Sequence, residues 1–104
     1  MYARNVSMQL KPNTAGEFTQ TFEKDGLPLL RKQTGFKDEI SFLAADRSTA
    51  VAISLWDRKE SAETYSKDIY PQVLKSLTNV LEGTPKVEAY EVSNSTFHKI
   101  ASSN

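Results

Sequence analysis

Residues 49–57 read TAVAISLWD, a stretch that contains one whole β-strand and the start of the helix after it. Val51, Ile53 and Leu55 alternate with alanine and serine, which is the two-residue period of a strand. Asp57 then supplies a residue type that favours the start of a helix. Because neither face of the strand carries a charge, we predict that helices cover one face and a partner covers the other.

The patterns on both sides of this stretch predict the remaining elements. Upstream, apolar residues alternate in residues 2–10 and 36–45, and a helical pattern lies between them up to Gly35. Downstream, a helical pattern interrupted at Tyr70-Pro71 leads to a strand over residues 86–92. The order strand, helix, strand, strand, helix, strand predicts an α+β, ferredoxin-like βαββαβ sandwich. We expect one domain over residues 1–95 and a polar tail over residues 96–104.

Local motifs predict where the helices begin and break. Thr14 and Glu17 have the spacing of a capping box, in which two side chains satisfy the first free amides of a helix. Asp57 and Glu60 repeat that spacing. Pro28 predicts a kink or a break in the first helix, because proline lacks the amide proton. The glycine at position 83 is predicted to end the second helix.

Four phenylalanines form an aromatic group. Phe18 and Phe22 lie one turn apart on the first helix, and strand alternation predicts that Phe36 and Phe42 share a face with Ile40. We interpret the group as ordinary core. If a cleft is open, its candidate ligand-binding residues are Phe18, Phe22 and Phe42.

Composition disfavours several classes of function. The chain of 104 residues has 13 Lys plus Arg and 13 Asp plus Glu, so a zero formal net charge gives no attraction to nucleic acid or to an anionic membrane. It has no cysteine, which excludes disulfides, thiolate metal sites and a cysteine nucleophile. No apolar run approaches the roughly 20 residues of a membrane helix. We expect a cytoplasmic protein that binds neither nucleic acid nor membrane.

The chain resembles the antibiotic biosynthesis monooxygenase-like family of dimeric α/β barrel proteins, over about residues 2–93. The resemblance rests on an ordered series of short motifs: Leu29-Leu30, Gly35-Phe36, Leu55-Trp56-Asp57, Ser61-Ala62 and Tyr65. It implies a homodimer whose two sheets pack face to face, and a small apolar cleft between the helices and the sheet of each subunit. Members include cofactor-free oxygenases of electron-rich phenols, anthrones or quinols, haem-degrading monooxygenases, and proteins without a known activity.

The resemblance implies a cofactor-independent monooxygenase acting on a small aromatic or quinol-type compound. Such chemistry needs an apolar pocket, groups that lower the pKa of a phenol, and exclusion of water. Asn5 could donate to an oxyanion, Tyr65 could relay a proton, and Trp56 could stack on an aromatic ring. Each also has a structural interpretation: a solvent-facing amide, a core phenol and a packing anchor. The alternative is a non-catalytic protein of the same fold that binds a small apolar ligand or only assembles.

Haem degradation is disfavoured by the residues at the positions that the resemblance implies. Tyr65 stands where the functional tryptophan would be, and Lys75 stands near the position of the haem-ligating histidine. A protonated lysine is a poor iron ligand. The one histidine, His98, falls in the polar tail, and the acidic pair Asp38-Glu39 has no second histidine to complete a metal site. We therefore expect no metal and no cofactor.

Overall fold

The computed structural model describes residues 1–97, which form one four-stranded sheet with helices along one face. The strands are β1 (Tyr2–Leu10), β2 (Phe36–Leu43), β3 (Thr49–Trp56) and β4 (Leu81–Glu91). A π-helical segment (Phe22–Gly26) joins α1 (Ala15–Thr21) to α2 (Leu27–Arg31), and α3 (Lys59–Asp68) is followed by α4 (Tyr70–Ser76). No helix within residues 1–97 has the length and apolar character to cross a membrane. His98 lies outside the described residues, and the limits set for the domain and its tail stay predictions.

The sheet has the strand order β2-β3-β1-β4, and every neighbouring pair is antiparallel. Helices connect β1 to β2 and β3 to β4, while a short turn connects β2 to β3. Each helical connection therefore returns the chain to the sheet without pairing the strands that it joins. This is the ferredoxin-like arrangement, so the predicted fold is confirmed.

The face of the sheet beneath the helices carries the core. Alternation along β1 turns Val6, Met8 and Leu10 toward the helices, and each is at most 5% exposed. Burial of a large apolar side chain contributes roughly 1.5–3 kcal/mol, so this face accounts for much of the stability. The helical layer closes the core with buried side chains from each of its parts: Phe18, Phe22, Leu30, Ala62, Tyr65, Val73 and Leu77.

The opposite face of the sheet, which we call the outer face, is apolar at its centre. It consists of Val51, Ile53 and Leu55 on β3 together with Ile40 and Phe42 on β2. Ile40 is 46% exposed and Phe42 is 50% exposed, so the described part of one chain leaves this face open. The prediction that helices cover one face of β3 is confirmed. Coverage of the other face by a partner stays a prediction.

A bulge in β2 changes the face on which its aromatic residues lie. The pairing register shifts by one residue between Phe36 and Asp38. Before the shift, Phe36 pairs with Trp56 on the helical side. After the shift, Phe42 pairs with Val51 on the outer face. The prediction that Phe36 and Phe42 share a face is wrong, because one extra residue inverts the alternation.

Within residues 1–97, neither predicted capping box forms. The Thr14 hydroxyl donates to the Lys11 carbonyl oxygen at 2.7 Å, and α1 has no side-chain cap. The Asp57 carboxylate accepts from the Ser61 hydroxyl at 2.6 Å, and α3 begins at Lys59. In both cases a local hydrogen bond takes the polar side chain that the box would have used.

The predicted interruptions of the helices occur, but the second helical region ends early. Pro28 lies in the first turn of α2, and Pro71 lies in the first turn of α4, where a missing amide proton costs little. After Ser76, turns with i to i+3 hydrogen bonds replace the helix, and β4 begins at Leu81. Gly83 therefore lies inside β4, next to a register shift, and does not end the helix as predicted.

The joint between α2 and β2 requires glycine at position 35. Gly35 has φ +82, and a Cβ there would overlap the side chains of Asp57 and Ser61. We expect Gly35→Ala to lower the free energy of unfolding by about 2–3 kcal/mol, measured by urea denaturation. The matched control is Gly16→Ala in α1, where, apart from its chain neighbours and the backbone of its own helix, no atom of the described residues lies within 4 Å of the added carbon. That control should gain about 0.5–1 kcal/mol, and equal effects of the two substitutions would contradict the prediction.

Candidate functional site

A small cavity, which we call the inner cavity, lies between the covered face of the sheet and the helices. Its volume of about 30 Å³ has room for one or two water molecules. The sheet contributes Arg4, Ser54 and Glu39 to its lining, and the helices contribute Tyr65 and Tyr70. The rest of the lining is apolar: Val6, Met8, Phe22, Leu30, Ala52, Val73, Leu74 and Leu77. A few polar groups that converge in an apolar enclosure make this the candidate site.

Arg4 is the charged group of the inner cavity. The alternation of β1 turns it toward the helices, where it is 4% exposed. Its guanidinium carbon lies 4.0 Å from the centre of the Tyr70 ring and 5.2 Å from that of Tyr65, within the range of cation–π attraction. Its Nη2 donates to the Ser66 hydroxyl at 3.2 Å. Burial lowers the pKa of Arg4, but a guanidinium keeps its proton in proteins, so the cavity contains a positive charge.

The two tyrosines remain neutral around physiological pH. Burial raises the pKa of Tyr65 to about 12, although the nearby charge of Arg4 acts in the opposite direction. Burial also raises the pKa of Tyr70, again against the effect of Arg4. A protonated phenol is both a donor and an acceptor, so either hydroxyl is able to relay a proton to a ligand.

The shifted pKa of Tyr65 predicts a loss of stability at alkaline pH. The folded pKa of about 12 lies above the ordinary value of 10.0, so the stabilisation is fully present below pH 10 and is lost as pH rises through 12. The loss attributable to Tyr65 is roughly 2–3 kcal/mol. Urea unfolding across this range measures it, and Tyr65→Phe should remove much of the slope. A variant slope equal to that of the unsubstituted chain would contradict this assignment.

Trp56 is a core residue in this structure. It is 0% exposed, and its Nε1–H donates to the Ser54 hydroxyl at 2.9 Å. Its ring lies 5.6 Å from that of Phe36 and 5.0 Å from that of Tyr65, measured between centres. These contacts occupy the ring and its only donor. The structure therefore places Trp56 behind Tyr65, as a support for the wall of the inner cavity.

Glu39 is the acidic group of the cavity lining. It pairs in register with Ser54, which pairs in turn with Arg4, so these three side chains lie side by side on the covered face of the sheet. Its carboxylate accepts a hydrogen bond from the Ser41 hydroxyl. Burial raises the pKa of Glu39, and the Ser41 hydrogen bond only partly opposes that shift. The pKa therefore moves toward the range in which a carboxylate is a useful base.

The structure brings only some of the predicted site residues together. Tyr65 lines the inner cavity, Trp56 packs behind it, and Phe22 lines it from the π-helical segment. Phe18 packs against Phe22 with parallel rings 6.0 Å apart. The set of three phenylalanines nevertheless does not converge, since Phe42 lies on the outer face.

The structure places Asn5 on the side of the sheet opposite the inner cavity. In β1 it alternates with Arg4, and it pairs with Ile53 of the outer face. An Asn5 side chain that starts from that face does not reach an oxyanion beside Tyr65 in the same chain. The oxyanion role that the resemblance implies for Asn5 is therefore not supported by its position.

Sequence reasoning missed Arg4, Glu39 and Tyr70 as members of the site. For Arg4 there was a usable signal, because it is the one charged residue on the apolar side of β1. A charge inside an apolar stripe predicts either the end of the core or a functional group. For Glu39 the bulge in β2 concealed the face to which it belongs.

Among residues 1–97, no group of three or more His, Asp or Glu side chains is positioned to hold a metal ion. Lys75, near the position that the resemblance implies for a haem ligand, is exposed on α4. Asp38 and Glu39, considered above as an acidic pair, point to opposite faces of the sheet. Cofactor-free chemistry remains a prediction.

Comparison with solved structures identifies the fold. No protein-family model matches the chain, and no curated protein matches it significantly. SnoaB, a cofactor-independent oxygenase from Streptomyces nogalater, matches with a TM-score of 0.75 and 12% identity, covering 91% of this chain and 95% of that one. A Nitrosomonas europaea protein of unknown function, NE2512, matches with a TM-score of 0.74 and 17% identity, covering 91% of each chain.

A second Nitrosomonas europaea protein, provisionally named an antibiotic biosynthesis monooxygenase, has a TM-score of 0.74 and 14% identity. The match covers 90% of this chain and all of that one. Identities this low support the fold and leave activity to the residues of each site. The fold that the resemblance implied is confirmed: this chain has the ferredoxin-like fold of the antibiotic biosynthesis monooxygenase structures.

Proposed function

We propose that this chain is a homodimeric, cofactor-independent monooxygenase that acts on a small aromatic or quinol-type compound. The observation that carries the proposal is the inner cavity, where the buried charge of Arg4 lies over the ring of Tyr70 and beside Tyr65. A cation in a largely apolar enclosure stabilises an oxyanion strongly, because little water competes for it. An aromatic anion would meet complementary charge and complementary ring faces there.

The proposed reaction draws its electrons from the substrate. For an anthrone, removal of a proton gives an electron-rich anion, which O₂ oxidises so that the ring CH₂ becomes C=O. One oxygen atom of O₂ enters the product, and the other leaves as water with the two hydrogens of the methylene. In this chain Arg4 would stabilise the anion, and Tyr65 would relay a proton.

The outer face supports the homodimer. Its apolar centre includes Ile40 and Phe42, both about half exposed in one chain. Tyr90 of β4, 51% exposed, pairs with Ala3 on the same side of the sheet. Contiguous exposed apolar residues of this kind mark interaction surfaces. In a two-fold dimer the same patch meets itself, so one apolar face is sufficient for both subunits.

Oxygen uptake tests the enzymatic proposal. The purified chain, treated with a chelator, is incubated with 1,8-dihydroxyanthrone and a panel of naphthohydroquinones in an oxygen electrode. We expect uptake above the spontaneous rate, and a product that contains one atom of isotopically labelled O₂. Tyr65→Phe should lower that rate, whereas Tyr90→Phe on the outer face should leave it unchanged. Uptake at the spontaneous rate with every compound would overturn the proposal.

A second candidate is a non-catalytic protein that binds a small apolar ligand or only assembles. The observation in its favour is the size of the inner cavity, which at about 30 Å³ is far smaller than an aromatic substrate. Native mass spectrometry of freshly purified protein separates the two candidates. A dimer that carries a co-purified aromatic compound favours the first, and an empty dimer without oxygen uptake favours the second.

The proposal includes a cytoplasmic location and no nucleic-acid or membrane partner. A formal net charge of zero supports the absence of a polyanionic partner. Fractionation of cells that express the tagged chain would test the location.

A further inference from the structure

Two opposite charges flank a hydroxyl on the covered face of the sheet. Arg4 on β1 and Glu39 on β2 each pair in register with Ser54 on the strand between them. Two strand spacings separate the flanking backbones by roughly 10 Å. All three side chains line the inner cavity. A ligand group above Ser54 would therefore have a carboxylate on one side and a guanidinium on the other.

A larger groove leads to this position from the side of β2. It has a volume of about 420 Å³, a size typical of small-molecule sites, and runs between α1, the π-helical segment and β2. Its apolar walls are formed by Phe18, Leu27 and Leu43. Phe22 and Glu39 line both this groove and the inner cavity, so these two side chains form the partition between them.

Phe22 lies at an irregularity of the backbone. It is the first residue of the π-helical segment, a type of irregularity common at functional sites. Its ring lies directly against Gly26, where a Cβ would come within 2.6 Å of the ring. A shift of the Phe22 ring would join the groove to the inner cavity, and a ligand bound in the groove would then reach Arg4.

We propose that Glu39 is the proton acceptor and Arg4 the oxyanion partner for a planar ligand that carries an ionisable hydroxyl group and binds in the groove. The inference rests on the proposed function for its oxidative step, but ligand ionisation is a separate property. In the ionisation step the ligand O–H bond breaks, its electron pair stays on oxygen, and the proton moves to a Glu39 carboxylate oxygen; for an anthrone this is the O–H of its enol form. The resulting anion lies toward Arg4, and the total charge is unchanged.

The other groups that face Glu39 favour this assignment. Arg4, Tyr65 and Tyr70 share the inner cavity with it, and Glu23 of the π-helical segment shares the groove. The two tyrosines are neutral donors near pH 7. Burial opposes ionisation of Glu39, and the hydrogen bond from Ser41 offsets this only in part, which strengthens Glu39 as a base.

Binding of 4-nitrophenol tests the inference without oxygen chemistry. Its phenolate has its own visible absorption band, so a titration of the bound probe gives the pKa of the ligand in the site. We expect the bound pKa to lie about one unit below that of free 4-nitrophenol, a tenfold preference for the anion. A bound pKa equal to or above the free value, or no binding at all, would overturn the proposal. This test needs only the unsubstituted chain.

Matched variants then assign the roles. Arg4→Gln should abolish the tenfold preference, whereas Glu39→Gln should keep or increase it, because it removes a competing negative charge. Glu88→Gln on the outer side of β4 is the control, and circular dichroism reports whether each variant is folded. If Arg4→Gln does not fold, Arg4→Lys, which keeps the charge, should retain a preference for the anion. A preference that survives in folded Arg4→Gln would overturn the role of Arg4.

Oxygen uptake with 1,8-dihydroxyanthrone tests the base. Glu39→Gln should lower kcat by about a hundredfold with little change in KM, since it removes proton transfer and leaves the groove intact. An unchanged kcat would overturn the role of Glu39. Ligand ionisation without oxygen uptake would defeat the proposed oxygenase and leave this site standing. Oxygen uptake without a shifted ligand pKa would support the proposed oxygenase and overturn this site.

Discussion

Replacement of Trp56 by alanine is expected to lower the free energy of unfolding by about 3–5 kcal/mol. The indole is 0% exposed and packs against the rings of Phe36 and Tyr65. Its removal leaves a large apolar void and deprives the Ser54 hydroxyl of its donor. Small domains are stable by only about 5–15 kcal/mol, so urea denaturation should show a variant at the edge of folding.

The size of that loss distinguishes a packing role for Trp56 from a catalytic one. Phe97→Ala is the control, because Phe97 is 75% exposed and its truncation should change stability by less than about 0.5 kcal/mol. Trp56→Phe keeps most of the ring contact and loses the hydrogen bond to Ser54, which should cost about 1–3 kcal/mol. If Trp56→Ala reduced oxygen uptake and left the unfolding free energy unchanged, the ring would belong to the ligand site and not to the core.

The strand β1 shows how far the sequence determines both fold and site. Its alternation predicts a strand over residues 2–10, and the structure confirms those bounds. The same alternation marks Arg4 as a charge on the apolar side, because face assignment depends only on neighbouring residues. The position of Arg4 beneath Tyr65 and Tyr70 depends on where α3 and α4 cross β1. Local sequence patterns do not predict where helices cross a strand.

The strand β2 shows where pattern reasoning fails. Its alternation is correct on each side of the bulge, yet the shift between Phe36 and Asp38 exchanges the faces. A bulge is a property of two paired strands, and the sequence of one strand rarely reveals it. The alternation therefore assigns Phe42 to the cleft, while Glu39 is considered only as half of an acidic pair. The error added one wrong residue, Phe42, to the predicted site and left out Glu39.

The outer face, on which the bulge in β2 places Phe42, is also where we expect the largest effect on assembly. Phe42→Glu should convert the proposed dimer to a monomer at micromolar concentration, seen by sedimentation equilibrium. The side chain is 50% exposed in one chain, so the substitution should have little effect on the fold of each subunit. In the proposed dimer it would place a charge against an apolar surface twice, once for each subunit of the two-fold pair.

An unpaired charge buried in such an interface costs about 3–5 kcal/mol, so the dissociation constant should rise at least a hundredfold. Gln72→Glu is the matched control, because it adds the same charge to the exposed side of α4, across the sheet from the outer face. That variant should remain dimeric. Dimers of equal strength in both variants would show that the outer face is not the interface, and the apolar centre formed by Val51, Ile53 and Leu55 would then need a different occupant. Circular dichroism that is unchanged in Phe42→Glu would show that each subunit is still folded, so the loss of the dimer would be due to the interface. The inner cavity and its lining lie on the other side of the sheet and should not be affected.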